Sequence, residues 1–383
     1  MNMIHRIADH FAKVTPLPVG VYHLQTTIDE KPCRLHLRLH ADGTGILIVN
    51  ASTVLQLNST AAEYAFHFLK ESSPEEAAGQ LSARYRVSKE TALQDYNDFV
   101  DRIETLVSTP DLDPVSFLDF ELAAPHSATL TAPLRLDCAL TYRLPAGTDV
   151  EYAPTRRVDH ELTTEEWKTI LNQAWQFGIP QITFTGGEAT LRDDLPDLIA
   201  EAEKNGQVCG LLTDGMRLAD KAYLALLLQT GLDHILFLLQ PDHVQSWQAL
   251  ETVLVEDIFV TVHITLNPAN AKILEGTLER LAELGVKSLS LTISDPSLQD
   301  AFTALKDKAA EMGLTLRFDL PVPYSSYNPV AFETQEDDIP RAAGRAWLYV
   351  EPDGDVLPAQ GMADKILGNL LTNSWSQLYP PPA

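Results

Sequence analysis

Cysteine is scarce in this chain, and the few cysteines lie far apart. Only Cys33, Cys138 and Cys209 occur among 383 residues. An odd number of widely spaced cysteines forms neither a disulfide framework nor a CxxC metal pair. We therefore expect unpaired thiols, no cysteine-based metal site and a cytoplasmic location. Cys138 is predicted to be a small buried residue within a strand.

Basic residues and long apolar runs are also scarce. The chain has 28 Lys and Arg against 53 Asp and Glu, which gives a formal net charge of −25. This balance disfavours nucleic acid, whose phosphates are neutralised by clustered cations, and it disfavours an anionic membrane surface. No stretch approaches the roughly 18 to 20 apolar residues of a membrane span. Met1–Val14 mixes charge into a short amphipathic run and lacks the apolar core of a secretory signal.

The first part of the chain, residues 15–107, predicts a small module of strands and helices. Gly43–Ile48 and Val54–Leu57 are typical of strands around a turn, and Ser59 or Thr60 is the predicted cap of a helix that ends near Lys70.

Two further helices have clear start signals. Ser73-Pro74-Glu75-Glu76 forms a capping box with proline at the first helical position. Ser88 is the predicted cap of a third helix. Its apolar residues follow three-four spacing and predict one buried face: Leu93, Tyr96, Val100, Ile103 and Val107. The proline-rich residues 108–132 are predicted to be a linker.

Residues 133–322 alternate strand-like and helix-like segments. This order predicts parallel βαβ units, as in a partial (β/α)6 barrel, although a doubly wound sheet gives a similar pattern. A helix is expected after the capping box of Thr163 and Glu166. The candidate strands are Leu134–Thr141, Gln181–Thr185, Val208–Thr213, His234–Gln240, Phe259–Leu266, Ser288–Ser294 and Thr315–Leu320.

Several of these strands carry polar residues at every second position. Strands buried on both faces are nearly all apolar, so a strictly alternating strand has one polar face. With helices outside, that face is expected to line a wet lumen. The polar positions are Thr261, His263 and Thr265, then Ser288, Ser290, Thr292 and Ser294, then Thr315, Arg317 and Asp319. The spacing of His234, His243 and His263 gives no metal-binding pattern.

Residues 337–383 form a third zone. Asp353-Gly354 between alternating apolar residues predicts a β-hairpin.

Two stretches of the middle zone carry a resemblance to a known family. Ile182–Leu198, ITFTGGEATLRDDLPDL, resembles the Gly-Gly-Glu strand end of radical S-adenosylmethionine (radical SAM) enzymes. Leu140–Arg157, LTYRLPAGTDVEYAPTRR, resembles the loop in which three cysteines hold a 4Fe–4S cluster. The resemblance implies an S-adenosylmethionine site at Gly186, Gly187, Glu188 and Tyr152, and it places the cysteine positions at Leu144, Thr148 and Glu151.

The replaced cysteine positions carry no thiolate. Iron–sulfur clusters are held by soft thiolate ligands. Leu144 offers no ligand atom, the Thr148 hydroxyl is neutral and hard, and one carboxylate at Glu151 does not replace three thiolates. We therefore expect no 4Fe–4S cluster and no cofactor, with binding of S-adenosylmethionine kept as an alternative.

The flanking zones resemble domains that accompany this family. GILIVNASTVLQLNSTAAEY (Gly45–Tyr64) and the helices of Ser72–Leu106 resemble the winged-helix PqqD-like domain, which binds precursor peptides by adding the peptide to a sheet edge. The third zone resembles a SPASM or twitch extension, with Ala359 at an auxiliary-cluster cysteine position. The expected fold is α/β: a partial (β/α)6 radical SAM-type barrel, an N-terminal winged-helix PqqD-like domain and a small C-terminal SPASM/twitch-like β-hairpin extension.

The function predicted from these patterns is a radical SAM-like pseudoenzyme of ribosomal peptide modification. It would act as chaperone, scaffold or regulator, with a precursor peptide, an active radical SAM homologue or both as partners. One alternative is residual S-adenosylmethionine binding. Another is acid–base chemistry in the polar lumen, for which the candidate residues are His263, Arg317, Asp319 and Glu188.

Overall fold

The computed structural model describes residues 17–50, 53–85, 87–109, 112, 121–122, 130, 132–145, 158–317, 344–360, 362 and 364–379. The chain divides into two compact units, Met1–Ser127 and Ala128–Ala383. Within the described residues, no helix has both the length and the apolar character needed to cross a membrane.

Unit 1 contains a five-stranded antiparallel sheet. Its strands are β1 (Gly20–Ile28), β2 (Lys31–Leu39), β3 (Gly45–Val49), β4 (Thr53–Leu57) and β5 (Glu121–Leu122), and they lie side by side in chain order. The strands β3 and β4 agree with the sequence prediction, whereas β1 and β2 were not predicted. Alternate residues of β2, Leu35, Leu37 and Leu39, are buried in one core, as expected for a strand with a period of two. Part of the predicted linker, β5, pairs with β4.

The described part of unit 1 has three helices: α1 (Ser59–Leu69), α2 (Pro74–Tyr85) and α3 (Lys89–Ser108). Helices α1 and α3 pack on the sheet core, whereas α2 packs against α3. The cap of α1 is Asn58 rather than Ser59 or Thr60, because the Asn58 side chain accepts a hydrogen bond from the Ala61 N–H at 2.9 Å. The capping box of Ser73 and Glu76 is present. Ser88 caps α3 as predicted, since its hydroxyl accepts from the Thr91 N–H at 3.0 Å.

Unit 2 is built on a ten-stranded, mostly parallel sheet in the order β12-β11-β10-β9-β8-β7-β6-β13-β14-β15. The seven parallel strands that were predicted all occur within the described residues. They are β6 (Arg135–Thr141), β7 (Gln181–Gly186), β8 (Val208–Thr213), β9 (His234–Leu238), β10 (Phe259–Leu266), β11 (Ser288–Ile293) and β12 (Thr315–Leu316). The α/β prediction is therefore confirmed.

Helices of unit 2 pack on the apolar strand face. They are α4 (Thr164–Phe177), α5 (Leu195–Asn205), α6 (Lys221–Gln229), α7 (Val244–Val253), α8 (Leu274–Glu283), α9 (Gln299–Glu311) and α10 (Trp375–Leu378). Thr163 and Glu166 form the predicted capping box of α4. Trp167 and Phe184 are fully buried in this core. Burial of such side chains contributes about 25 cal/mol per Å² of apolar surface.

The C-terminal strands extend the same sheet. β13 (Trp347–Val350) runs parallel to β6, and β14 (Asp355–Leu357) and β15 (Gly368–Asn369) follow as antiparallel neighbours. The predicted hairpin turn is present, with Gly354 at φ +89°. The Tyr379 hydroxyl donates to the carbonyls of Leu130 and Arg345 at 3.1 and 3.0 Å. These bonds join the two ends of the described part of unit 2.

Candidate functional site

The carboxyl ends of β6, β7 and β8 meet through a glycine turn. The Gly187 N–H donates to the Thr141 carbonyl at 2.7 Å, and the Glu188 N–H donates to the Arg143 carbonyl at 2.9 Å. A Cβ on Gly186 would lie 2.1 Å from the Thr141 carbonyl oxygen, and a Cβ on Gly187 would lie 2.3 Å from that of Arg143. Gly186 also has φ +133°, a conformation that favours glycine. Close packing of the two strand ends therefore requires both glycines.

The Glu188 carboxylate is buried and accepts four hydrogen bonds. Its Oε1 accepts from the N–H and hydroxyl of Thr190 at 2.9 and 2.6 Å, and from the Thr213 hydroxyl at 2.8 Å. Its Oε2 accepts from the Asp214 N–H at 2.8 Å. These bonds connect the turn after β7 to the turn after β8, so Glu188 fixes the relative position of two adjacent strand ends.

A second carboxyl group, Asp214, lies beside Glu188. Burial raises the pKa of Glu188 to about 8, the negative charge of Asp214 adds to the rise, and the hydrogen bonds from Thr190 oppose it. Burial likewise raises the pKa of Asp214. Asp214 was interpreted from the sequence only as a turn residue. The missed signal was the position of Thr213 and Asp214 at the end of the next parallel strand.

Arg192 binds main-chain groups near the same strand ends. Its guanidinium donates to the carbonyls of Leu140 and Leu162 at 3.3 and 2.9 Å. It also forms a two-pronged pair with Asp194 at 2.8 and 2.6 Å, a geometry in which arginine binds carboxylates well. Burial raises the pKa of Asp194, but hydrogen bonds from Arg192 and Thr164 outweigh it, and the net pKa is lowered.

A cavity of about 550 Å³ opens beside the end of β6. The charged groups in its wall are Arg143 and Glu161, 3.7 Å apart. The position after Arg143 is Leu144, which lines the same cavity with an aliphatic side chain. The full lining is Tyr142, Arg143, Leu144, Val158, Glu161 and Leu191. This cavity lies where open α/β sheets bind ligands, outside the carboxyl ends of parallel strands.

The polar face of β10 and β11 is a buried ladder of side chains. His263 Nδ1 lies 3.0 Å from Ser290 Oγ, and His263 Nε2 lies 3.2 Å from Thr265 Oγ1 and 3.3 Å from Thr292 Oγ1. Thr261 and Ser288 pair one layer below at 2.9 Å. Burial lowers the pKa of His263 to about 3, so the imidazole is neutral near pH 7.

Among the described residues, the structure does not join the candidate acid–base residues to one another. Arg317 is exposed and its guanidinium lies 6.0 Å from the ring centre of Phe259. No described hydrogen bond or ion pair links His263, Arg317 and Glu188. Asp319 lies outside the described residues, as do Thr148, Glu151 and Tyr152.

The three cysteines lie away from the strand ends. Cys33 is in β2, Cys138 in β6 and Cys209 in β8, and all three are free and buried. Burial raises the pKa of Cys138 well above its usual value, which disfavours the thiolate that binds metals. Ala359 packs against Met362 and Trp347. The described part of the site therefore supplies no thiolate for a 4Fe–4S cluster.

The described site does fit S-adenosylmethionine. The Thr185 hydroxyl, immediately before the glycines, is buried and has no hydrogen-bond partner among the described residues. A buried hydroxyl without a partner is costly, and a bound ligand would supply one. These features define an α/β protein with a candidate ligand site at the carboxyl ends of β6–β8.

The part of the chain that contains the site is similar to known proteins. Residues 138–241 match the Radical SAM superfamily model. The chain is similar to a PqqA peptide cyclase of Granulibacter bethesdensis, with 37% identity over 110 residues, 28% of this chain and 29% of that relative. It is 28% identical to a PqqA peptide cyclase of Streptomyces rochei over 257 residues, 59% of this chain and 69% of the relative.

Solved structures share the fold at low sequence identity. Streptococcus suis SuiB bound to S-adenosylmethionine matches with a TM-score of 0.60 and 14% identity, over 93% of this chain and 89% of SuiB. SuiB bound to its precursor peptide SuiA matches with a TM-score of 0.56 and 12% identity, over 95% and 88% of the two chains. The radical SAM-type fold is thereby confirmed.

These comparisons correct the prediction about cofactors. The sequence prediction of no cofactor is wrong, because residues 138–241 match the Radical SAM superfamily model and a matched SuiB structure holds S-adenosylmethionine. The prediction assumed that loss of the cysteines from the Leu140–Arg157 loop also removes the binding of S-adenosylmethionine. The packed glycine turn and Glu188 do not depend on those thiolates.

Proposed function

We propose that this chain acts in peptide modification as a radical SAM-fold protein that binds S-adenosylmethionine and a precursor peptide but does not itself generate a radical. The observation that carries the proposal is the end of β6. There the glycine turn and Glu188 complete a ligand site, while the loop begins with Leu144 at a position where the family resemblance implies a cysteine.

Binding of S-adenosylmethionine is supported by the chemistry of the strand ends. The glycine turn is hydrogen-bonded to Thr141 and to Arg143, which lines the cavity, and buried carboxyl groups at Glu188 and Asp214 suit a cationic ligand. Thr185 offers a buried hydroxyl that has no described partner. S-adenosylmethionine carries an ammonium and a sulfonium, so its charge matches this end of the sheet.

Peptide binding is supported by the character of unit 1 and by the relatives. PqqA peptide cyclases and the SuiB–SuiA complex are named for peptide substrates or precursors. Unit 1 provides an antiparallel sheet, to which an extended peptide can add as a strand. In the Gly43–Leu57 hairpin, β3 has no free edge for a peptide, because it lies between β2 and β4. The other hairpin strand, β4, pairs with β5 on its far side. We therefore place the added strand beside β1, an outermost strand of nine residues.

The pseudoenzyme part of the proposal is supported by the cysteines. Radical formation requires an electron delivered to the sulfonium, and the described site offers no thiolate to hold the group that delivers it. The chain would then serve as chaperone, scaffold or regulator beside an active radical SAM homologue. A cytoplasmic location agrees with unpaired, buried thiols but stays a prediction.

The test measures S-adenosylmethionine binding and 5′-deoxyadenosine formation separately. Calorimetry is expected to detect binding by the wild-type chain and a large loss in Glu188→Ala, whereas the exposed control Glu251→Ala keeps wild-type affinity. Under strong reductant, the chain alone is expected to form no 5′-deoxyadenosine. Sustained formation by the chain alone, together with stoichiometric iron and sulfide, would show that it is an active radical enzyme.

Peptide binding is tested by co-purification from a host that also makes a PqqA peptide and a PqqA peptide cyclase. Recovery of either partner supports the proposal. Recovery of neither, at concentrations where the chain is folded, contradicts the scaffold role.

Acid–base chemistry in the lumen has less support. His263 is neutral and hydrogen-bonded to three hydroxyl groups, and no described contact links it to Arg317 or Glu188. The ladder explains His263 as a structural residue of β10.

A further inference from the structure

Two buried carboxyl groups at the ends of β7 and β8 have no described cationic partner. Glu188 is 1% exposed and Asp214 is 9% exposed. The donors to Glu188 are Thr190, Thr213 and the Asp214 main chain, and all of them are neutral. Among the described residues, Asp214 Oδ1 accepts from the Met216 N–H at 2.9 Å, which is also a neutral donor. Two adjacent buried carboxylates without a cation would carry a large desolvation and repulsion cost.

The other charged groups described around the pair have partners of their own. Arg217 donates to the Thr190 carbonyl and lies over the Tyr223 ring at 4.1 Å. Its described ion pair is with the exposed Asp193, at 3.4 Å. At the end of β6, the Arg143 side chain bonds to Thr141 and faces Glu161 rather than the pair.

A single proton resolves this arrangement. When one carboxyl group is protonated it can donate to the other, and the pair then carries one negative charge instead of two. The raised pKa of both groups, caused mainly by burial, agrees with this state. A cation that arrives beside the pair stabilises the doubly ionised form, and the proton then leaves for solvent.

We infer that Glu188 and Asp214 hold one proton between them, and that Asp214 makes the binding of a ligand cation at this end of the sheet release that proton. The ligand class is a small molecule with an ammonium or sulfonium group. The inference relies on the proposed function for its probe, S-adenosylmethionine, but the shared proton does not depend on any ligand. Asp214 is thus a residue that sets the pH range over which the site binds its ligand.

The ligand-dependent test is calorimetry with S-adenosylmethionine at several pH values between 6 and 8, each in two buffers that differ in ionisation enthalpy. For one released proton, affinity is expected to rise by up to about tenfold per pH unit. The Asp214→Asn variant is expected to reduce this slope, because it removes the negative charge of Asp214 that adds to the effect of burial on the pKa of Glu188. The matched control Asp193→Asn, which changes an exposed acid nearby, keeps the wild-type slope.

The ligand-independent test is infrared spectroscopy of the folded chain near neutral pH. We expect the band of a protonated buried carboxyl group in the wild type, lost in Glu188→Gln, weakened in Asp214→Asn and unchanged in Asp193→Asn. Absence of the band in the wild type overturns the shared proton. A band without proton release on binding overturns the ligand coupling. Absence of any binding, with the band present, refutes the proposed S-adenosylmethionine site and the coupling with it, while the shared proton stands.

Discussion

Replacement of Arg192 by methionine is expected to destabilise unit 2 strongly. Arg192 is 8% exposed, and methionine fills most of its volume without any donor. The change removes two bonds to Asp194 and leaves the carbonyls of Leu140 and Leu162 without this donor. Breaking one side of a buried ion pair costs about 3–5 kcal/mol. For a unit of this size, that loss lowers Tm by about 10 °C.

The assay is urea and thermal unfolding of the full chain near pH 7, followed by tryptophan fluorescence. The control is Arg280→Met, because Arg280 forms an exposed pair with Glu251 in which the side chains are 47% and 46% exposed. Exposed pairs contribute about 0–1 kcal/mol. Equal losses in the two variants would refute the reasoning, since the predicted difference arises entirely from the buried bonds of Arg192.

Three further outcomes are expected. Gly186→Ala should lower the free energy of unfolding by about 3 kcal/mol or more, because of backbone strain and contact with Thr141. The control Gly79→Ala lies in a helix with open space around it and should raise the free energy of unfolding by about 0.5–1 kcal/mol. Similar urea midpoints for the two variants would contradict this prediction. Thr163→Ala, which removes a capping box, should cost about 1 kcal/mol, and an unchanged midpoint would exclude a stabilising cap. Glu188 ionises near pH 4.5 in the unfolded chain but only near pH 8 in the folded chain. The stability of the wild type, relative to Glu188→Gln, should therefore fall as the pH rises from 4.5 to 8. Parallel pH profiles of stability would contradict the raised pKa of Glu188.

The parallel sheet of unit 2 was predictable because its signals are local. Each of β6 to β12 is a short apolar or alternating run, and helix starts such as Thr163 have capping residues beside them. In unit 1, β1 and β2 were not predicted, since β2 contains His36 and Arg38 among its leucines. Both polar side chains are buried by tertiary packing, which the local sequence does not reveal.

Site residues that are adjacent in the sequence were predictable, whereas those brought together only by folding were not. Gly186, Gly187 and Glu188 are adjacent in sequence and were identified together. Asp214 lies 26 residues beyond Glu188, and Arg192 acts through carbonyls of Leu140 and Leu162, which sequence patterns do not reveal. The prediction about cofactors failed because it treated the cysteine loop and the glycine turn as one site.

The bonds of Tyr379 have a consequence for how such proteins are put together. The carbonyl of Leu130 and the hydroxyl of Tyr379 are 3.1 Å apart, so the first and last described residues of unit 2 contact each other. A module whose termini meet tolerates permutation and insertion into another chain. Joining these termini with a short peptide and opening a new start elsewhere should therefore yield a foldable rearranged protein.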